Sequence, residues 1–289
     1  MDDTILVTGA TGNLGALVIQ NLLERGVDPA GVVGLARDPE DAATLAEASV
    51  EIRAGDYEAP DSLDAALQDI DRVLLVSSSE VGQRVEQHGN VIDAAEAAGV
   101  DQLVYTSALR ADTSTLPIAT EHVETESLLA ASDLSYTLLR NGWYLENYTG
   151  EIDQIIEEGA VVGAAGEGRI SAAARQDYAE AAATVLLEDS HGGEIYELGG
   201  DSAFTLAELA EEISAQSGHP VEYRDLPEDE YATYLAESGM PEPVADMFAA
   251  TDREISNGEL YTESDDLQQL IGRPTTTLAS AVTTALEER

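Results

Sequence analysis

The chain has 289 residues, enough to bury a sizeable core as one large domain or as a domain with a smaller lobe. It contains no cysteine and no lysine, all 13 basic residues being arginine. This excludes disulfides, thiolate catalysis, cysteine-ligated metals, Schiff bases and a P-loop lysine. With 57 acidic residues and a net charge of −44, neither nucleic acid nor an acidic membrane is an expected partner.

The acids are spread along the chain while apolar periodicity persists throughout, so the charge reads as a solvated surface on a folded protein. Such a surface repels itself at low salt. At about 1 M salt the screening length falls to about 3 Å and the repulsion fades. The sequence therefore predicts a salt-rich cytoplasm, as in a halophile. Apolar runs such as ILVTGA and VLLVSSS fall far short of the roughly 20 residues that span a bilayer. The start MDDTILV lacks a basic n-region and a cleavage pattern, so a cytoplasmic location without membrane insertion is expected. The sequence is compatible with a homo-oligomer and does not require one.

Strand-like and helix-like segments alternate. A buried strand is predicted over 4–9 and a helix over 14–25, spaced by Leu14, Leu17, Val18, Leu22 and Leu23. A second strand covers 32–36, and a helix over 38–48 opens with Asp38 as N-cap and Pro39 as first residue. A third strand covers 50–56, with a short helix after Pro60. Strand 72–79, helix 80–98, strand 102–107, helix 117–132 and strand 135–140 follow. Later, 177–189 and 205–218 read as helices. This rhythm implies an α/β fold with a doubly wound parallel sheet, whose ligands gather at the carboxyl ends of the strands. The expected division is a dinucleotide-binding domain over 1–150 and a smaller substrate-side lobe over 151–289. A stretch near 170–200 is expected to return to the first domain.

The segment TGATGNLG closes the first strand and opens the first helix. Gly9, Gly12 and Gly15 permit a tight turn and close approach of the backbone to a pyrophosphate, which then faces a helix N-terminus. Arg37 ends the second strand, where an acid would favour NAD and an arginine suits the 2′-phosphate of NADP. The plainer reading is a surface arginine paired with Asp38 or Glu40. Asp56 ends the third strand where an adenine fits, or is simply a turn aspartate. Ser77, Ser78 and Ser79 either reach ribose or cap the next helix. The stretch RNGWYLENY sets the sole tryptophan Trp143, the tyrosines Tyr144 and Tyr148, and Asn141 and Asn147 beside the cleft, as a site for a flat apolar substrate and the nicotinamide carboxamide or as a packing corner between lobes.

Acid–base groups are scarce. Tyr136 and Arg140 are four apart but lie on a strand, unlike the helical tyrosine–lysine pair of common short-chain dehydrogenases. The four histidines show no ligand spacing, so no metal site is expected. His191 and His219 lie in loop contexts and read as solvated.

The motifs TGATGNLG, VSSSEVGQR, YTSALRADTS, EHVETE, YTLLRNGWYLENY, GAAGEGRI, DYAEAAA, YELGGDSA and GRPTTTLA span nearly the whole chain. Through them it resembles the zinc-free, flavin-free NAD(P)H:quinone oxidoreductases of the NmrA-like branch of atypical short-chain dehydrogenases. The resemblance implies a Rossmann-type NADP-binding domain with a smaller C-terminal α/β lobe and a quinone in the cleft between them. The implied cofactor contacts are Gly9, Ala10, Thr11, Gly12, Asn13, Leu14 and Gly15. Arg37, Ser77, Ser78, Ser79 and the Asn141 region with Gly142 and Trp143 join them, and the carboxyl ends of the strands add Asp56 and Ser107 as candidate cofactor contacts. The candidate catalytic residues are His122, Asn141 and Tyr144. Many relatives carry a lysine four before a glutamate on the helix after the fifth strand. Here His122 precedes Glu126 by four, either as a donor near the nicotinamide ribose or quinone, or as a helix-surface histidine.

A site without strong acids still suits quinones. Reducing a ketone creates an alkoxide, comparable in basicity to hydroxide, whose parent water has a pKa of roughly 15.7. Reducing a quinone creates a phenolate-like anion whose acid has a pKa of about 10. The expected activity is direct two-electron hydride transfer from NADPH to a quinone. The alternative is an NmrA-like redox sensor that binds dinucleotide without turnover.

Overall fold

The computed structural model describes residues 3–289. Its strands are β1 (Ile5–Val7), β2 (Val32–Ala36), β3 (Glu51–Ala54), β4 (Arg72–Leu75), β5 (Gln102–Ala108), β6 (Tyr136–Asn141), β7 (Ala160–Gly163), β8 (Ile195–Leu198) and β9 (Glu222–Asp225). Seven of them form a parallel sheet in the order β3-β2-β1-β4-β5-β6-β8, and β7 pairs with β9 in a separate parallel pair. The chain turns from β1 toward β2 and β3, then returns to place β4 on the other side of β1. The loops leaving β1 and β4 therefore diverge and open a crevice between them, where ligands of such sheets bind.

Alternating apolar residues divide the core between the two faces. Ile5 and Val7 face one cluster with the helices Asn13–Glu24, Arg175–Leu187 and Asp266–Ile271. Leu6 faces the other, with Pro60–Ala66, Arg84–Ala98 and Ala119–Ala131. Each fully buried aliphatic side chain contributes about 1.5–3 kcal/mol, which fixes the register because a one-residue slip would exchange the faces. A third cluster joins Val161 of β7 to the helices Leu206–Ser217, Glu242–Ser256 and Leu278–Glu287. The first of these starts with a capping box between Thr205 and Glu208.

The predicted elements are present with shifted ends. Strand 72–79 stops at Leu75, and the helix expected from residue 80 starts at Arg84. Side chains replace strand partners in between. Thr8 Oγ1 accepts from Val76 N, Thr106 Oγ1 from Ser77 N, and His88 Nε2 from Ser78 N, so the chain peels off the sheet. The helix expected over 38–48 is a 3-10 turn, Pro39–Ala42, followed by Ala43–Glu47; Asp38 accepts from Glu40 N. No helix among the described residues is long and apolar enough to cross a membrane.

Candidate functional site

Two glycines of the β1–helix turn are required for different reasons, Gly9 by its backbone conformation and Gly15 by lack of space. Gly9 has a left-handed φ of 57°. At Gly15 an added Cβ would lie 2.3 Å from the carbonyl oxygen of Gly9. The helix Asn13–Glu24 has Gly12 as N-cap and no side-chain cap bond, so its first amides remain available to an anion.

This turn lines a cleft of about 580 Å³. Of the sequence-assigned residues, Gly9, Thr11, Gly12, Asn13, Leu14, Gly15, Arg37, Asp56, Ser77, Ser78, Ser79 and Tyr144 meet there. Ala10 is buried beneath it. Three of the 13 arginines, Arg37, Arg84 and Arg175, line the same cleft. Arg37 pairs across it with Glu80, Nη1 to Oε1 at 3.1 Å, rather than with Asp38 or Glu40. Arg84 Nε donates to Ser78 O at 2.6 Å, while its Nη1 is buried without a hydrogen-bond partner. Neither Arg84 nor Arg175 is ion-paired among the described residues. In so acidic a chain, arginines left without carboxylates around free helix amides make a site fitted to a phosphate-bearing ligand. Arg84 and Arg175 were missed by sequence reasoning. Arg84 was visible only as the last letter of VSSSEVGQR, and Arg175 reaches the cleft from a helix far away in sequence.

A buried polar chain supports the Ser77–Ser79 loop. His88 Nε2 accepts from Ser78 N at 2.9 Å, which leaves the His88 proton on Nδ1, 2.9 Å from Thr125 Oγ1. The Tyr105 hydroxyl lies 2.8 Å from His122 Nδ1 and 3.4 Å from His88 Nδ1. His122 is thus buried behind the loop and is not among the cleft-lining residues; the helix-surface reading is also corrected. Burial first and the nearby Arg84 charge second push both histidines down to about 3, so both are neutral. The packing reason is Tyr105, fully buried on β5, whose hydroxyl needs a partner at its tip.

The other assigned residues are distributed as follows. Ser107 is buried and donates to Glu126 Oε1 at 2.6 Å. Glu126 also grips Arg140 through two bonds of 2.9 and 2.7 Å, and Asp112 and Glu197 complete a carboxylate cage around that guanidinium. Glu126 therefore serves a buried arginine, not a partner four residues away on its own helix. Asn141, Gly142 and Ser107 are not among the residues that line the cleft. Asn141 is buried with Oδ1 unpartnered. Gly142 lies against β8, where a Cβ would be 2.9 Å from Leu198 O. The Tyr144 ring packs edge-on to Tyr178 and carries the Arg175 guanidinium 4.8 Å above its centre. Burial raises its phenol pKa, with Asn141 and Arg175 partly offsetting this. His191, read as solvated, is buried: Tyr196 bonds its Nδ1 at 2.7 Å and Glu188 its Nε2 at 3.1 Å. His219 is exposed.

Trp143 faces a second cavity, of about 450 Å³, with Tyr148, Tyr231, Tyr234 and Phe248. Asn147 lines both spaces, so the two adjoin at the segment that follows β6.

A family model described as NAD(P)H-binding matches residues 9–189. Quinone oxidoreductase 2 of Escherichia coli is 50% identical over 278 residues, covering 96% of this chain and 97% of that one. An NAD(P)H azoreductase of Xenophilus azovorans is 30% identical over 280 residues, 95% of each chain. The crystal structure of the NADPH-dependent E. coli quinone oxidoreductase complexed with NADPH matches with a TM-score of 0.95 at 49% identity, covering 98% of this chain and 100% of that chain. The Citrobacter triphenylmethane reductase complexed with NADP(H) matches at 0.93 and 39% identity, covering 98% and 100%. The glycine turn, the arginine-lined cleft and these likenesses agree, and the chain belongs to the NAD(P)H-binding family.

Proposed function

We propose that the protein is an NADPH-dependent quinone oxidoreductase that works by direct two-electron transfer. The observation that carries this reading is the pairing of two adjoining spaces: an arginine-lined cleft at the glycine turn and an aromatic cavity reached past Asn147. The likeness to the E. coli quinone oxidoreductase over nearly the whole of both chains supports it. The pyrophosphate would be held by the helix amides of Asn13 and Leu14, the Gly12 amide already donating to the Gly9 carbonyl, with Arg84 and Arg175 as counter-charges, and the 2′-phosphate by Arg37. NADPH, when bound, supplies a hydride. Tyr144, its hydroxyl protonated and its ring held between Tyr178 and Arg175, orients the reacting end from the cleft side, beside Asn147. Trp143, Tyr148 and Phe248 hold a flat ring by stacking and exclude water from it. Catalysis then comes chiefly from holding the two reactants in register. His122 acts through Tyr105 and His88 on the Ser78 amide, as a support for the loop.

In this proposal residues 1–150 carry the nucleotide and 151–289 supply the substrate side, with the stretch near 170–200 returning to the first part. The protein works in the salt-rich cytoplasm that its charge of −44 suits. Anaerobic mixing of the protein with NADPH and a benzoquinone in molar KCl tests the function. Stoichiometric quinol is the expected product. Tight NADPH binding without oxidation would mark a dinucleotide sensor instead.

A further inference from the structure

Three acidic residues are buried among the described residues: Asp177, Asp252 and Glu254. Two have an arginine. Asp177 meets Arg273 at 2.7 Å and Glu254 meets Arg253 at 2.8 Å. Asp252, 8% exposed, has no ion-pair partner among the described residues. Its one hydrogen bond runs from Ala164 N to Oδ2, 2.8 Å, and Oδ1 has none. It lines the aromatic cavity one turn from Phe248. The backbone makes room for it: a Cβ on Gly163 would lie 2.8 Å from Oδ2.

A charged carboxylate without a cation is costly in such a place, and the structure leaves it there while arginines serve the other two. The groups around it offer no positive charge. Asp225 and Tyr223 face it from β9, Tyr148 from the Glu146–Thr149 turn, and Tyr231 from the helix Glu228–Glu237. Farther along the wall, Glu158 is engaged by Arg224 and Tyr234. On its own helix, Arg253 is engaged by Glu228 and Glu254. Burial, reinforced by Asp225 and opposed by the Ala164 amide, pushes the Asp252 carboxyl up to about 6. A ring that displaces water from the cavity pushes it further the same way.

We propose that Asp252 is a catalytic acid of this cavity, donating a hydrogen bond to one carbonyl oxygen of a bound quinone and then that proton as the ring is reduced. This rests on the quinone reading above. The electrons balance. The nicotinamide cofactor gives two electrons and one proton as hydride, and the quinone becomes a quinol monoanion. The O–H bond of the Asp252 carboxyl breaks, its electron pair stays on the carboxylate, and the proton forms the second O–H bond of the quinol. Solvent returns a proton to Asp252 when the product leaves. In the sequence ATDREIS this residue is one of 57 acids, and nothing local distinguishes it.

Trp143, the sole tryptophan, lines the cavity and reports binding without turnover. Tetramethylbenzoquinone is titrated into the full chain in molar KCl at several pH values, following Trp143 quenching, for wild type, Asp252→Asn and Asp252→Leu. Single-turnover rates are measured alongside. In the wild type, Kd rises about tenfold per pH unit above the Asp252 pKa, because only the protonated acid donates. Asp252→Asn keeps a donor, so its Kd is pH-independent, while its single-turnover rate falls about 10²-fold. Asp252→Leu binds about tenfold more weakly at low pH. Equal, pH-independent Kd values and equal rates in all three would overturn the role of Asp252 while leaving the cavity as the quinone site. Oxidation of NADPH by the quinone without quenching of Trp143 would place the quinone elsewhere and remove both.

Discussion

Glu80 Oε1 lies 3.1 Å from Arg37 Nη1, so the arginine assigned to the 2′-phosphate of NADPH already has a carboxylate partner. The same carboxylate accepts from Gln87 and Gln83, at 2.8 and 3.2 Å, which ties the loop after β4 to the end of β2. A 2′-phosphate must compete with Glu80 for Arg37, whereas a free ribose hydroxyl need not.

Glu80→Gln is therefore expected to tighten NADPH binding and leave NADH binding unchanged. An exposed pair of this kind is worth about 0.2–1 kcal/mol, so the gain is up to about fivefold at low salt and smaller in molar KCl. Isothermal titration with both cofactors checks it. Equal effects on both would mean that Arg37 does not read the 2′ position.

Arg84 lines the cleft, donates to the Ser78 carbonyl through Nε and keeps a buried Nη1 without a partner. A charge-assisted bond to phosphate is worth about 1.5–3 kcal/mol, so Arg84→Gln is expected to weaken NADPH binding by about 10- to 150-fold. Trp143 quenching by quinone should change little. An unchanged NADPH Kd would remove Arg84 from the phosphate site.

Stability should fall in acid. His88 and His122 are held down to about 3 by burial and then by Arg84, against about 6.5 in the unfolded chain. The unfolded chain therefore binds protons that the folded one refuses. Their contribution is complete above pH 6.5 and is lost as pH falls toward 3. Asp252, raised from 3.8 to about 6, acts in the opposite sense, and its contribution is lost as pH rises through 6. Between about pH 4 and 6, two histidines against one aspartate leave a net uptake of one proton on unfolding. The slope is about 1.4 kcal/mol per pH unit. Urea unfolding in molar KCl at about pH 7, 6 and 5 measures it, and a flat profile would contradict the buried neutral pair.

Salt should stabilise the fold. With a net charge of −44 on 289 residues, self-repulsion is unscreened at low ionic strength. The melting temperature is expected to rise between low and molar KCl. An unchanged temperature would rule out the salt-rich setting.

Much of this was legible in the sequence where the physics is local. The glycine turn was, because Gly9 and Gly15 answer to backbone geometry within one loop. The parallel sheet was, because buried strands and amphipathic helices differ in period. What escaped depends on distant partners. Arg37 reads as a 2′-phosphate contact, with its neighbours as the plainer partners, yet its carboxylate partner is 43 residues away. His122 reads as a donor near the nicotinamide or quinone or as a surface histidine, yet Tyr105, on a strand 17 residues earlier, draws it inside. His191 looked solvated, but Tyr196 folds back over it. Arg175 and Asp252 carry no local signature at all, since only the packing of later helices brings them to the cleft and the cavity.

The most direct test is an anaerobic single turnover in molar KCl with NADPH deuterated at the transferable position, tetramethylbenzoquinone as acceptor and no added flavin. Two-electron transfer predicts one quinol per NADPH, a primary isotope effect on the disappearance of NADPH, and no semiquinone signal by electron paramagnetic resonance. NADPH that binds but stays reduced, or a semiquinone that accumulates, would contradict it.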